Sequence, residues 1–202
     1  MVSKEDLVKK YDEYYAKDKG KWSVPERNKL AYDAVKRLKE SPAEILDIGC
    51  GNGHTLEYFH EKYPDAKLYG LDLSPKAIEI AKEKLPDDAT FYTEFLTDLS
   101  ARKKFDLILC LGTAEHFEDL SENLAKVKSL LKKDGIAYFE MPNNLAYDYG
   151  LHNFRQLRSG SRQYEWHLNR KEWNDQLTQA GFEIVKEITH ARPQWQFAWI
   201  LR

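Results

Sequence analysis

The chain has 202 residues, 42% of them hydrophobic and 32% charged, with 31 basic and 33 acidic side chains for a net charge of −2. That length suits one domain with a sizeable core, and the balanced charge leaves no electrostatic footprint for nucleic acid or an anionic membrane. The first ten residues are charged where a secretory signal would be apolar, and no apolar run approaches the roughly 20 residues that span a bilayer, so a cytoplasmic location without membrane partner is expected.

In chain order, Ser3 with Asp6 resembles a capping pair, and Leu7, Tyr11 and Tyr14 recur at helical spacing. A short loop over residues 19–25 follows. Leu30, Ala34, Val35 and Leu38 mark an amphipathic helix that stops before Ser41-Pro42. Residues 43–48 form a first strand, which runs into the glycine-rich turn Gly49-Cys-Gly-Asn-Gly53 and a helix from Thr55 to about Tyr63-Pro64. The second strand is Lys67–Asp72. Ser74 caps the next helix, Pro75 occupies its first position, and Ala77, Ile78, Ala81 and Leu85 form its apolar face. Ala89 to Phe95 reads as the third strand.

Phe105–Leu111 is nearly continuous in apolar residues, as suits a central strand covered on both faces. Leu120, Leu124, Val127, Leu130 and Leu131 predict a helix closed by Asp134-Gly135. Ile136–Met141 is the fifth strand, stopped by Pro142. Asn169 with Glu172 predicts a capping box for a helix through Trp173, Leu177 and Ala180. Phe182–Ile188 and Trp195–Leu201 are the last two strands, close enough in sequence to pair antiparallel. Alternating strands and helices imply a doubly wound α/β fold, a mostly parallel sheet with helices on both faces. Residues 143–168 carry no clean period and read as a functional loop or lid, with a partly ordered surface connection holding a few packed aromatics as the other reading.

The glycine turn is the strongest chemical signal. Glycines 49, 51 and 53 let the backbone turn tightly and let a ligand approach it closely. The free N–H groups of the following helix face such a ligand. Asp72, about twenty residues beyond the glycines, stands where a ribose-binding carboxylate is expected. The spacing is G-x-G-x-G, where the dinucleotide fingerprint is G-x-G-x-x-G, so a nicotinamide dinucleotide fits less well.

Asp47-Ile-Gly-Cys-Gly-Asn-Gly53 resembles motif I of the class I S-adenosylmethionine-dependent methyltransferases, and the resemblance extends over residues 43–202. It implies a seven-stranded, Rossmann-like sheet with one antiparallel strand near the C-terminal edge. It also implies methyl transfer from S-adenosyl-L-methionine, with S-adenosyl-L-homocysteine as product. The division implied is an N-terminal helical cap (residues 1–42), a cofactor-binding half (43–142), a substrate loop or lid (143–168) and a C-terminal helix with a strand pair (169–202).

The resemblance assigns Asp47, Gly49, Cys50, Gly51 and Gly53 to the methionine end of the cofactor, Asp72 to the ribose hydroxyls and Leu73 to the adenine face. A carboxylate offers two acceptor oxygens to a vicinal diol, which suits Asp72. At the adenine end Glu94 or Asp98 could serve, or Phe95 could pack on the ring. Leu111-Gly-Thr-Ala-Glu-His116 matches the family's segment after strand four, with the Leu111 backbone near the cofactor and His116 as candidate catalytic base, or a loop histidine that only caps structure. This segment does not match the Asp/Asn/Ser-Pro-Pro-aromatic loop of the DNA amine methyltransferases.

Tyr15, Tyr147, His152 and His167 are candidate substrate residues in aromatic segments that could close over the acceptor. Arg27 reads as a solvated residue at a helix start, with pairing to the cofactor carboxylate as the other reading. Cys50 and Cys110 read as small buried residues, and no metal-ligand cluster is expected. The function expected is methyl transfer to a small-molecule acceptor without metal; a protein or peptide acceptor, or a non-catalytic cofactor-binding module, are the alternatives. The oligomeric state is not encoded in any feature of the chain.

Overall fold

The computed structural model describes residues 4–18, 25–99, 103–142, 166, 168–189 and 196–202. The elements are α1 (Lys4–Asp18), α2 (Pro25–Val35), β1 (Glu44–Ile48), α3 (His54–Lys62), β2 (Lys67–Leu71), α4 (Pro75–Lys82), β3 (Thr90–Tyr92), β4 (Phe105–Leu111), α5 (Leu120–Leu130), β5 (Leu131–Pro142), α6 (Arg170–Gln179), β6 (Ile184–Thr189) and β7 (Gln196–Leu201). Short 3-10 turns occupy Leu96–Asp98 and Ala114–His116.

The seven strands form one sheet in the order β3-β2-β1-β4-β5-β7-β6. Pairing is parallel from β3 through to β5. β7 runs antiparallel to both neighbours and is the one reversed strand, as the sequence predicts. Side chains alternate between two hydrophobic cores. Leu46, Ile108, Phe139 and Trp199 join α5 and α6 on one face through Leu124, Val127, Trp173 and Leu177. Ile45, Leu107, Leu109 and Tyr138 join α2, α3 and α4 on the other through Val35, Phe59 and Ile78. Burial on both faces explains the nearly continuous apolar run of β4, where Phe105 through Cys110 are all buried.

Four local expectations change. Val35 is buried as expected, but Leu30 and Leu38 are exposed, and α2 completes its buried face with Asn28 and Ala31. The small Ala31 and the polar Asn28 allow close docking, and Asn28 Nδ2 donates to the His54 carbonyl (3.3 Å). Gly135 does not close α5: that helix ends at Leu130, and β5 already begins at Leu131. A Cβ at 135 would lie 2.7 Å from the Phe105 carbonyl oxygen, so glycine lets β5 approach β4 at an irregularity in their register. β3 is shorter than predicted, because the chain leaves the sheet after Tyr92 and turns into Leu96–Asp98. β6 begins at Ile184, two residues later than expected.

The chain turns outward from β1 to β2 and β3 on one side, and β4 lies on the other. That reversal opens a crevice at the C-terminal ends of β1 and β4, the place where ligands bind in open α/β sheets. No helix among the described residues is long and apolar enough to cross a membrane.

Candidate functional site

The glycine turn sits at the end of β1, on that crevice. Gly49, Gly51 and Gly53 have φ of 72°, 53° and 82°, a left-handed backbone that strains any other residue. The N–H groups of Gly49 and Cys50 both donate to the Leu71 carbonyl (2.7 and 3.0 Å), which pins the turn to the end of β2. A Cβ at Gly49 would run into the Thr113 side chain, so the segment after β4 lies directly on the turn. Gly53 precedes α3 as its N-cap and supplies no side-chain acceptor to the helix start. On the far side, Lys84 Nζ donates to the Asn52 carbonyl (3.2 Å).

Asp72 follows β2 and joins the turn. Its Oδ2 accepts the Gly51 N–H (2.9 Å) and its Oδ1 accepts the Ser74 N–H (2.9 Å). Burial raises its pKa, and those backbone donors pull it back down. Ser74 caps α4 as expected, with its hydroxyl oxygen accepting the Ala77 N–H (3.0 Å). Leu73 is half-buried beside it.

Asp47 lies beneath the turn with 2% exposure. Burial pushes its carboxyl up to about 8; the Arg27 guanidinium pulls it down and Asp72 adds to the rise. Arg27 is not the solvated residue that its sequence position suggests. Its side chain is 19% exposed, its Nε pairs with the buried Glu140 at the end of β5, and Nη2 would lie 2.6 Å from a Cβ at Gly112. The Gly112 N–H donates to the Glu140 carbonyl (2.7 Å), so Arg27, Glu140 and the segment after β4 are one unit. Arg27 and Glu140 thus join the site through long-range contacts that carry no periodic signal. Cys50 and Cys110 are buried and free, and burial holds both thiols well above their usual range, so both expectations of a buried small residue stand.

Helix α1 covers this junction. The Tyr15 hydroxyl packs against Gly51, and burial together with nearby Asp72 raises its phenol pKa. Tyr11 meets the His116 ring edge-on at 6.2 Å between centroids. His116 is half-buried in the turn after β4, with Nε2 4.0 Å from Glu115 Oε1. Leu111 is half-buried at the end of β4. At the outer end, the Lys4 ammonium lies 4.5 Å over the Phe95 ring and pairs with Asp98 at 2.8 Å. Asp98 is thereby engaged with α1, while Glu94 is half-buried beside Phe95. The structure thus brings Asp47, Gly49, Cys50, Gly51, Gly53, Asp72, Tyr15 and the 111–116 segment together.

Tyr147, His152 and His167 lie outside the described residues. Trp166 and Leu168 flank the last of these. The Trp166 N–H donates to the Glu115 carbonyl (2.7 Å) and its Nε1–H to the Phe117 carbonyl (2.8 Å), which fixes Trp166 on the turn that carries His116. Among the described residues no group of three or more histidine, cysteine or carboxylate side chains is placed to hold a metal.

The comparisons with known proteins agree with this geometry. A family model described as a methyltransferase domain matches residues 24–187. The chain is 30% identical over 133 residues to a malonyl-[acyl-carrier protein] O-methyltransferase of Acetivibrio thermocellus, covering 65% of this chain and 45% of that one. It is 32% identical over 122 residues to a trans-aconitate 2-methyltransferase of Methylobacterium radiotolerans, covering 60% and 46%. The chain thus spans about half the length of the curated relatives it matches. Among solved structures, the 1,6-didemethyltoxoflavin-N1-methyltransferase of Burkholderia thailandensis superposes with a TM-score of 0.76 at 18% identity over 100% of this chain and 91% of that one. The plantazolicin methyltransferase BpumL superposes with a TM-score of 0.75 at 21% identity over 98% and 95%. By the family match across most of its length, with the seven-stranded fold to go with it, the chain belongs to the methyltransferase-domain family.

Proposed function

We propose that this chain is an enzyme that transfers the methyl group of S-adenosylmethionine to a small-molecule acceptor. The observation that carries the reading is the Asp72–Gly51 junction. A carboxylate and a Cβ-free turn meet there at the switch point of the sheet, with the acid Asp47 beneath. The cradle fits an adenosine ligand that carries an amino acid. The left-handed turn at Gly49, Gly51 and Gly53 brings Asp72 and the buried Asp47 carboxyl to one place, where an ammonium would find its counter-charge. Two structural neighbours were solved with S-adenosylhomocysteine bound.

Each residue then has a task. The Asp72 oxygens hold the ribose hydroxyls on lone pairs that their backbone donors leave open. Asp47 neutralises the α-ammonium, directly or through water. Cys50 and Leu111 line the pocket by their backbone, and Leu73 and Phe95 offer apolar surface to the adenine, with Glu94 as the polar candidate at that end. The bound cofactor supplies a sulfonium methyl open to direct in-line displacement, a reaction that needs positioning above all. His116 can accept a proton from the acceptor, because its ring lies half-buried beside Tyr11, next to the segment that abuts the glycine turn. Tyr15, whose hydroxyl packs on Gly51, is the candidate contact for the acceptor on the turn side.

Titration calorimetry with S-adenosylhomocysteine tests the donor. The folded chain is expected to bind, and Asp72→Ala to lose at least about tenfold in affinity through its lost hydrogen bonds. No heat from the wild-type chain overturns the reading, and unchanged affinity in the variant removes Asp72 from the site. An acceptor carried on a protein is a second reading, supported by the relative named for malonyl-[acyl-carrier protein]. Methyl-labelled cofactor incubated with cell extract separates the two: label in a dialysable compound that chromatography resolves from S-adenosylmethionine supports the small molecule, and label in the protein fraction the alternative.

A further inference from the structure

Three charged side chains meet on one face of the sheet beside the glycine turn. Ile45, Leu107, Leu109 and Tyr138 point toward the core that α2 covers. The period-two alternation of a strand sends Asp47 and Glu140 to that same face. β4 runs between them, with Asp47 in register with Leu109 and Glu140 with Leu111. Both acids are buried. Arg27 reaches over from α2, and its Nε pairs with Glu140. The Tyr138 hydroxyl donates to the other Glu140 oxygen (3.4 Å).

One cation thus faces two carboxyls, and it treats them differently. Asp47 feels the guanidinium through its field, whereas Glu140 holds it by contact. Opposite charges in a dry site attract strongly, so a guanidinium released by Glu140 would turn to Asp47. With Glu140 in place, the rigid fork is fixed at one end and presents the other. Nη2 is buried and has no hydrogen-bond partner among the described residues, which costs free energy until an acceptor is supplied. It lies against Gly112, where a Cβ would stand 2.6 Å away, and the next residue, Thr113, rests on Gly49 of the turn. The fork therefore ends where the amino-acid end of the proposed ligand belongs.

We propose that Glu140 is a positioning residue of the cofactor site: it holds the Arg27 guanidinium off Asp47, so that Asp47 meets the α-ammonium of the cofactor and Arg27 its α-carboxylate. The inference rests on the S-adenosylmethionine reading above. An α-amino acid carries both charges on one carbon. Its site needs an acid and a cation side by side that do not neutralise each other. Glu140 keeps them apart, acting through Arg27 and not on the ligand.

The test is titration calorimetry with S-adenosylhomocysteine and with its decarboxylated analogue, which keeps the ammonium and lacks the carboxylate. The first readout is the ratio of the two affinities, because a loosened fold weakens both ligands alike and leaves the ratio in place. The wild-type chain is expected to favour S-adenosylhomocysteine about tenfold or more, the effect of hydrogen bonds between charged groups. Arg27→Gln and Glu140→Gln are each expected to bring the ratio close to one. The second readout is the analogue alone. Glu140→Gln is expected to weaken it, since the released guanidinium covers Asp47, and the double variant Arg27→Gln/Glu140→Gln to restore it. That double variant leaves neither partner of the pair buried alone, so it folds where a single one fails. A wild-type chain that binds both ligands equally overturns the proposal. So does a preference that survives in Arg27→Gln, in Glu140→Gln or in the double variant, and so does an analogue affinity that the double variant leaves weak. A wild-type chain that binds neither ligand is a different result: it overturns the cofactor reading itself, and the role of Glu140 with it.

Discussion

Asp47 is a carboxylic acid held out of water, with burial as the main cause of a pKa of about 8. Its ordinary value is 3.8, so the folded chain binds a proton there that the unfolded chain has lost. Between those two values the unfolded state holds fewer protons, and stability falls as pH rises through that window. Asp47→Asn removes the ionisable group and is expected to flatten the fall, measured by urea unfolding at about pH 5 and about pH 8. With a cofactor ammonium beside it, as proposed, the carboxyl ionises and binding releases a proton near neutral pH. Calorimetry of S-adenosylhomocysteine in buffers of different ionisation enthalpy reads that proton, which is expected to vanish in Asp47→Asn. Equal proton release in both chains would assign it to another group. The position of Asp47 was legible from the motif; its acidity was not, because that depends on Arg27 and on burial between β2 and β4.

At the scale of elements, the strand–turn–helix unit from β1 to α3 is a local construction closed by a distant one. Gly49 needs its left-handed backbone for the turn, and it needs the missing Cβ because Thr113 occupies that space. Gly49→Ala is expected to lose about 1–3 kcal/mol from the strained backbone, with further loss from the clash. Adding Thr113→Ala is expected to recover only the part due to the clash. Thermal denaturation of the three variants checks this, and full recovery in the double variant would show that the backbone is unstrained. The glycine spacing announced the turn, whereas the threonine that abuts it is one more loop residue in the sequence. Helix α2 shows the limit from the other side. Its existence was legible, and so was Val35 on its buried face, but Asn28 and Ala31 were not, because they are chosen by what α3 presents to them.

Across the whole molecule, the end of the sheet opposite the site is tied by charge. Asp106 accepts the N–H groups of Ala43 and Glu44 (3.1 and 3.0 Å) and pairs with Lys132 (2.7 Å) and Lys39 (3.3 Å). Burial alone would raise its pKa, but the two lysines outweigh it and hold the carboxyl below its ordinary 3.8. A depressed folded pKa stabilises above the unfolded value, and that contribution is lost as pH falls through the folded one. Asp106→Ala is expected to cost about 2–4 kcal/mol, since it strips acceptors from two N–H groups and neighbours from two lysines. The deficit measured by urea unfolding is expected to be full near neutral pH and to shrink below pH 3.8. A deficit independent of pH would show that the ion pairs contribute nothing.

Strand and helix alternation, the reversal of the last strand and the glycine turn were determined by the sequence alone. Each is a local pattern, in which apolar period, turn residues and connection length act within a few neighbours. Only the tertiary structure decided that Asp12 docks on Ser74, 62 residues away, that Thr113 rests on Gly49, and that Arg27 turns inward to Glu140. Those contacts depend on how finished elements stack across the sheet, and side chains so far apart in the chain leave no period by which one could announce the other.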